Sequence, residues 1–212
     1  MSLLFNPIKI RGITFNNRIF VSPMCQYSAE AKDGLPTEWH VVHLGTRAIG
    51  GAGLVMTEAT SVTPQGRISP YDLGLWNTKQ ANSFEPIVAF IEKYNSVPAI
   101  QLAHAGRKAS RNKPWLGGNR LTIEEDGWNI VGPSSIPYDE TWDTPKELTK
   151  EDIMDLVSSF SKAAKYAVDI GFKCIELHLA HGYLANQFLS PISNTPVSYT
   201  HLRDHETRHD LV

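Results

Sequence analysis

The sequence predicts an α/β fold of repeated βα units around a parallel sheet, and three observations lead there. Short apolar runs rich in β-branched residues recur along the chain, as buried parallel strands do. Stretches with helical periodicity separate them, giving the order βαβαβαβ. No GxGxxG follows a strand, so the dinucleotide-binding form of a doubly wound sheet loses support. Counting favours a (β/α)8 TIM barrel only in part, since four strands by residue 178 are half of the eight such a barrel needs over its typical ~250 residues.

Ile19-Phe-Val-Ser22 reads as the first strand, and Trp39 to Ile49 carries the first helical pattern. Gly50-Gly-Ala-Gly53 looks like a phosphate loop at a glance. Lying after a helix and before a strand, it is better read as a helix stop and turn. Gly53 to Glu58 is the second strand, Thr78 to Tyr94 the second helix, and Pro98 to Leu102 the third strand. Ala105 to Lys146 is a long connection containing Gly, Pro and Trp, and connections of that length are usually functional. Thr149 caps the third helix with Asp152 at the capping-box offset, and that helix runs to about Gly171. Phe172 to His178 is the fourth strand.

Composition narrows the function. The 212 residues are 42% hydrophobic and 20% charged, with net charge -2 and no basic run that could track phosphates, so nucleic acid is not an expected partner. The opening residues 1–7 lack the charged and apolar regions of a secretory signal, and no apolar stretch approaches the ~18 residues of a membrane span. A cytoplasmic address, with no membrane partner, is expected. Cys25 and Cys174 fit neither a disulfide framework nor a zinc spacing, so each is read as a free thiol and no metal is expected.

Chemistry concentrates at the fourth strand. Alternation puts Cys174, Glu176 and His178 on one face, and His178 ends that series where barrel enzymes keep catalytic groups. His181 and Tyr183 follow at the same C-terminal mouth. Two imidazoles and a phenol can clamp a carbonyl oxygen and deliver a proton. They can equally satisfy buried polar groups, and the two histidines could begin a zinc site, although no third ligand is evident nearby. Arg107 and Lys108 after the third strand could meet phosphate or substrate, but read better as a solvated rim. Trp115, Trp128 and Trp142 either wall the pocket or pack the long connection down.

Three motifs then stand out: Ser22-Pro-Met-Cys-Gln-Tyr27, Gln101-Leu-Ala-His-Ala-Gly-Arg-Lys108, and His178-Leu-Ala-His-Gly-Tyr-Leu184 followed by Gln187-Phe-Leu-Ser-Pro-Ile-Ser-Asn194. Together they resemble the Old Yellow Enzyme family, in particular its bacterial thermophilic-like or xenobiotic-reductase branch, marked by cysteine in the first motif. The resemblance implies a (β/α)8 barrel with FMN at its C-terminal mouth, of which residues 1–194 form the N-terminal half, about four βα units. It implies that Ser22, Pro23, Met24, Cys25, Ala59 and Gln101 contact the flavin, with Cys25 modulating its potential, and that Tyr27 lines the substrate pocket. It further implies that His178 and His181 hydrogen-bond the carbonyl oxygen of an α,β-unsaturated substrate while hydride reaches the β-carbon and Tyr183 protonates the α-carbon. NAD(P)H would reduce the flavin in the same pocket, so no Rossmann motif is required. Enones, and also nitro compounds, are the expected substrates, and a homo-oligomer is expected at full length.

Within this resemblance a rival is a dienoyl-CoA reductase or amine dehydrogenase relative with further domains, and a different class is a non-catalytic half-barrel module. The segment 195–212 breaks the style of the chain and is read as a non-native, disordered tail. His201, His205 and His209 could share a helix face as a metal site, but a solvated tail is preferred. Strands five to eight, a flavin-facing arginine and the phosphate loops are not in the sequence, so the chain alone is expected to aggregate or to bind FMN poorly.

Overall fold

The computed structural model describes residues 2–195; nearly all of the segment read as a foreign tail, with His201, His205 and His209, lies outside the described residues. A hairpin of β1 (Ile8–Ile10) and β2 (Ile13–Phe15) precedes a four-stranded parallel sheet in the order β3 (Phe20–Val21), β4 (Leu54–Ser61), β5 (Val97–Ala103), β8 (Cys174–Leu177). Helices α1 (Glu38–Ile49), α2 (Thr78–Lys93) and α3 (Lys150–Asp169) form the crossovers. This is the first half of a (β/α)8 barrel.

The two-residue period of the strands sorts side chains into layers. Val55 on β4 and Ile100 and Leu102 on β5 point outward into the helical layer, joining Leu44, Phe84, Ile87, Ile91, Ala163 and Phe172. Burying Phe84, which packs edge-on against Phe172 at 5.8 Å, contributes about 2–3 kcal/mol. Leu54, Met56, Val97 and Ala99 point inward at the bottom of the barrel, where Ile8, Ile13 and Phe15 of the hairpin and Cys174 close on them. One level up, Gln101 pairs in register with Ala59 and with Glu176. Above that, Ala59, Ala103 and Ala105 line the C-terminal mouth together with Cys25, Tyr27 and Tyr183.

The expected helix signals operate. Thr149 Oγ1 accepts from the Asp152 amide at 3.1 Å and Asp152 Oδ2 accepts from the Thr149 amide at 3.0 Å, closing the capping box. Gly50 caps α1 and Gly51 takes φ +85°, so the glycine run is a helix stop. β4 extends three residues past its expected end, through Ser61, because its last residues still pair with β5 across a register shift between Met56 and Ala59. The long connection contains the short parallel pair β6 (Val131–Gly132) and β7 (Lys146–Glu147), and it is tied to the barrel. Arg107 donates to the carbonyls of Ile136 and Pro137 at 3.1 and 3.0 Å, and Trp128 Nε1 donates to Gln65 O at 2.8 Å.

Among the described residues the sheet has two open edges, β3 and β8. Between the hairpin and the sheet lies a cavity of about 650 Å³ lined by Phe15, Phe20, Leu54, Met56 and Ile175, and Leu177 stands exposed on the β8 edge. Among the described residues, no helix is long and apolar enough to cross a membrane.

Candidate active site

The turn after β8 gathers the expected chemical groups. The His178 amide donates to Leu102 O at 2.9 Å, extending the β8 ladder by one residue and holding the imidazole at the mouth. His178 Nδ1 accepts from the Ala180 amide at 3.3 Å, which leaves the ring proton on Nε2 as a donor. Burial, then the neighbouring His181 and Lys108, hold this imidazole below the usual histidine range, with Glu176 opposing, so the neutral form dominates near pH 7. His181 takes φ +58° and lies exposed, its ring edge-on to His178 at 5.1 Å. Tyr183 also stands edge-on to His178, at 4.9 Å. Burial first, then Cys25 and Asp72, push its phenol up, while Arg111 pulls it down.

The segment after β3 approaches from the opposite side. Ser22 and Pro23 line the open cavity, Met24 is exposed, and Cys25 and Tyr27 are half-buried against Ala59, Ala103 and Tyr183. Burial, reinforced by Asp72 and Glu58, pushes the Cys25 thiol up and keeps it protonated; the backbone of Ala59 and the side chain of Tyr27 pull the other way as hydrogen-bond neighbours. Tyr27, at φ +52°, meets Trp115 edge-on at 5.7 Å, so this tryptophan reaches the pocket wall while Trp128 and Trp142 pack behind it. Gln101 lies buried beneath the mouth and donates through Nε2 to Glu176 Oε1 at 2.5 Å. Its carboxamide oxygen and second N–H stay available to an amide-like partner. Of the ten residues singled out in the sequence, Ala59, Cys25, Tyr27 and Tyr183 pack together at the mouth with His178 and His181 beside Tyr183, Gln101 lies buried beneath them, Ser22 and Pro23 line the open cavity, and Met24 stands at the surface.

Several residues of the site escaped the sequence reading. Lys108 is not a free rim charge: Nζ donates to His181 O at 2.7 Å and sits 5.1 Å above the Tyr183 ring and 4.9 Å above Tyr138. Gln187, fully buried on α4 (Leu184–Leu189), donates to Gly182 O at 2.7 Å and Ala105 O at 3.2 Å and accepts from the Arg107 amide at 3.3 Å. It staples the turn after β8 to the turn after β5. Gly106, at φ +61°, makes that approach possible, since a Cβ there would fall 2.4 Å from Gln187 Oε1. His104, whose Nδ1 accepts from the Gly106 amide at 3.1 Å, lies buried in the turn after β5. Lys108, Gly106, His104 and Gln187 all sat inside recognised motifs, but the contacts between them join residues far apart in sequence and leave no periodic signal.

Residues 3–197 match the model of the NADH:flavin oxidoreductase / NADH oxidase family. An NADH:flavin oxidoreductase of Gibberella zeae is 50% identical over 195 residues, covering 90% of this chain and 47% of its own. An NADPH dehydrogenase of Bacillus licheniformis is 49% identical over 191 residues, covering 90% and 52%. Among solved structures, morphinone reductase in complex with tetrahydroNAD superposes with TM-score 0.80 at 25% identity, covering 93% of this chain and 55% of that one. The old yellow enzyme homologue from Zymomonas mobilis superposes with TM-score 0.78 at 28% identity, covering 93% and 54%. The chain spans about half the length of the curated relatives it matches.

Proposed function

The chain belongs to the NADH:flavin oxidoreductase / NADH oxidase family, and on that premise we propose that the full-length protein is an FMN-dependent NAD(P)H oxidoreductase that reduces the C=C bond of α,β-unsaturated carbonyl compounds. The observation that carries the reading is the convergence of His178, His181 and Tyr183 on one face of the mouth, opposite Cys25 and Tyr27.

The residues present suit a flavin. The free oxygen and N–H of the Gln101 carboxamide complement the amide edge of an isoalloxazine, the small Ala59 leaves room for a flat ring, and the protonated Cys25 thiol offers a neutral contact. Ser22, Pro23 and Met24 complete the proposed cofactor segment. When bound, FMN supplies the hydride, having received it from the nicotinamide. The chain's own groups do the rest. His178, neutral with its proton on Nε2, donates to the substrate carbonyl oxygen together with His181, and these donors stabilise the enolate charge that develops there. Tyr183, kept protonated by burial, gives its proton to the α-carbon and recovers it from solvent. Tyr27 lines the substrate pocket beside Tyr183.

Enones are the proposed substrates, with nitro compounds as a second class that the same donors would orient. A cytoplasmic address and a homo-oligomer at full length belong to the same proposal. The test is turnover of 2-cyclohexenone by the full-length protein with NADPH. His178→Ala with His181→Ala should remove most of it, and unchanged turnover would show that the carbonyl clamp is assigned to the wrong residues.

A further inference from the structure

Glu176 is the one residue of the inward β8 series to which the proposed reaction gives a chemical neighbour but no task. It sits between Cys174, which closes on the bottom of the barrel, and His178, which stands at the mouth, and alternation puts all three on one face. Gln101 stands opposite Glu176 across the β5–β8 ladder and opposite Ala59 across the β4–β5 ladder, so the three share one level of the sheet. Glu176 also lines the cavity that Ser22 and Pro23 line from the β3 side. It therefore touches one proposed flavin contact and shares a cavity with two others.

The contact with Gln101 is direct. Gln101 Nε2 donates to Glu176 Oε1 at 2.5 Å, short as charge-assisted hydrogen bonds are. Among the described residues this is the one hydrogen bond of the Gln101 carboxamide. Gln101 is buried and its backbone is paired in register on both sides, so the direction of the terminal amide is what remains to be set. A carboxamide carries an acceptor oxygen on one side and a donor NH2 on the other, and turning it over exchanges them with almost no change in shape. An ionised carboxylate only accepts. With Glu176 as neighbour an N–H must face β8, which leaves the oxygen and the second N–H pointing away from it. A glutamine at 176 would accept or donate and permit both directions; an apolar residue would select neither.

The direction matters because the edge that a flavin ring presents is itself polarised, an imide N–H flanked by carbonyl oxygens. One direction of the Gln101 amide offers an oxygen to that N–H and an N–H to a carbonyl. The reverse sets donor against donor and acceptor against acceptor and leaves them unpaired. We propose that Glu176 is the positioning residue of this amide: its carboxylate fixes which way the Gln101 carboxamide points and so presets the donor–acceptor order that meets the pyrimidine edge of FMN. The inference rests on the FMN-site reading above. Glu176 acts through Gln101 and not on the flavin itself.

The test uses the full-length protein freed of flavin and reads the FMN dissociation constant from flavin fluorescence. Glu176→Leu frees the amide to take its other direction and other rotamers, and should weaken FMN binding about tenfold, as when about a tenth of the population stays competent. Glu176→Gln keeps the size, permits two directions, should weaken binding about twofold, and carries the test if E176L does not fold. A double-mutant cycle separates positioning from general damage: with Gln101→Leu already in place, adding E176L should change FMN affinity by less than about 1.5-fold. A spectroscopic signature is read alongside, the side-chain amide resonances of Gln101 in nitrogen–proton correlation spectra of the flavin-free protein, identified by their loss in Q101L. The proton bonded to the carboxylate should lie downfield in wild type and move upfield in E176L, which a structural lesion elsewhere does not reproduce. FMN affinities within about 1.5-fold of wild type in E176L, an equal loss from E176L in the Q101L background, or a Gln101 proton that E176L leaves in place would each overturn the proposal alone. Wild-type protein that binds no FMN would overturn the cofactor reading and the proposal together.

Discussion

Gln187→Leu should cost the full-length protein about 3 kcal/mol and loosen the turn after β8. Gln187 is 1% exposed, and its carboxamide satisfies three backbone groups: Gly182 O, Ala105 O and the Arg107 amide. Leucine fills nearly the same volume, so the loss is polar and not a cavity. Each buried group left without a partner costs ~1 kcal/mol or more, which sums to about 3 kcal/mol when none finds water. Because Gly182 adjoins Tyr183, the damage falls where the proposed proton donor is held. Thermal unfolding followed by circular dichroism should show Tm lower by about 5–10 °C, and turnover measured well below Tm should fall as well. A Q187L protein melting within ~1 °C of wild type would refute the reasoning. Lost stability with unchanged turnover would show that the staple supports the fold and not the site.

Three further outcomes follow from the same structure. Tyr183→Phe removes the proposed proton donor and keeps the ring against His178 and Lys108, so kcat should drop about 10²-fold or more with substrate binding nearly unchanged; stopped-flow reoxidation of the reduced flavin by 2-cyclohexenone measures both. Burial pushes the Glu58 carboxyl up to about 8 from its ordinary 4.5, with Asp72 adding and the Gln26 and Tyr27 amides opposing. The folded state therefore keeps a proton that the unfolded chain has lost between those values, and stability falls as pH rises through the window. Burial holds His40 and His104 down to about 4, which works in the opposite sense below about 6.5, and Asp72, raised to about 6, adds to the Glu58 trend only below that value. The Glu58 contribution thus stands clear from about pH 6.5 to 8, worth ~2 kcal/mol; the wild-type minus E58Q difference in unfolding free energy should decline across that range, and a flat difference would refute the assignment. The chain by itself, with β3 and β8 as open edges and Leu177 exposed, should self-associate, which light scattering after size exclusion would detect as a mass well above that of one chain.

What the sequence disclosed and what it withheld divide along physical lines. β4 and β5 are buried along their whole length, so the apolar stretches Leu54–Met56 and Val97–Ile100 read directly as strands, and Thr149 with Asp152 announced α3 because a capping box is local chemistry. The hairpin β1–β2 has only three residues per strand, and β6 and β7 have two each, too few for alternation to register. His178, His181 and Tyr183 were legible because one strand and its turn bring them together. Glu58 read as the end of an apolar run, and His40, whose Nε2 stands 3.5 Å from its carboxyl, comes from another element. Lys108 looked like a solvated charge because nothing local shows that residue 181 folds back 73 positions away to meet it.

The most direct measurement of the central claim is an anaerobic spectroscopic titration of the full-length protein. The account predicts that the purified protein carries FMN, that NADPH bleaches its visible absorption, and that 2-cyclohexenone restores it, with the restoring step slowed by about 10²-fold or more in the His178→Ala, His181→Ala variant. Protein without flavin, a flavin that NADPH does not bleach, or restoration at the wild-type rate in the double variant would contradict it.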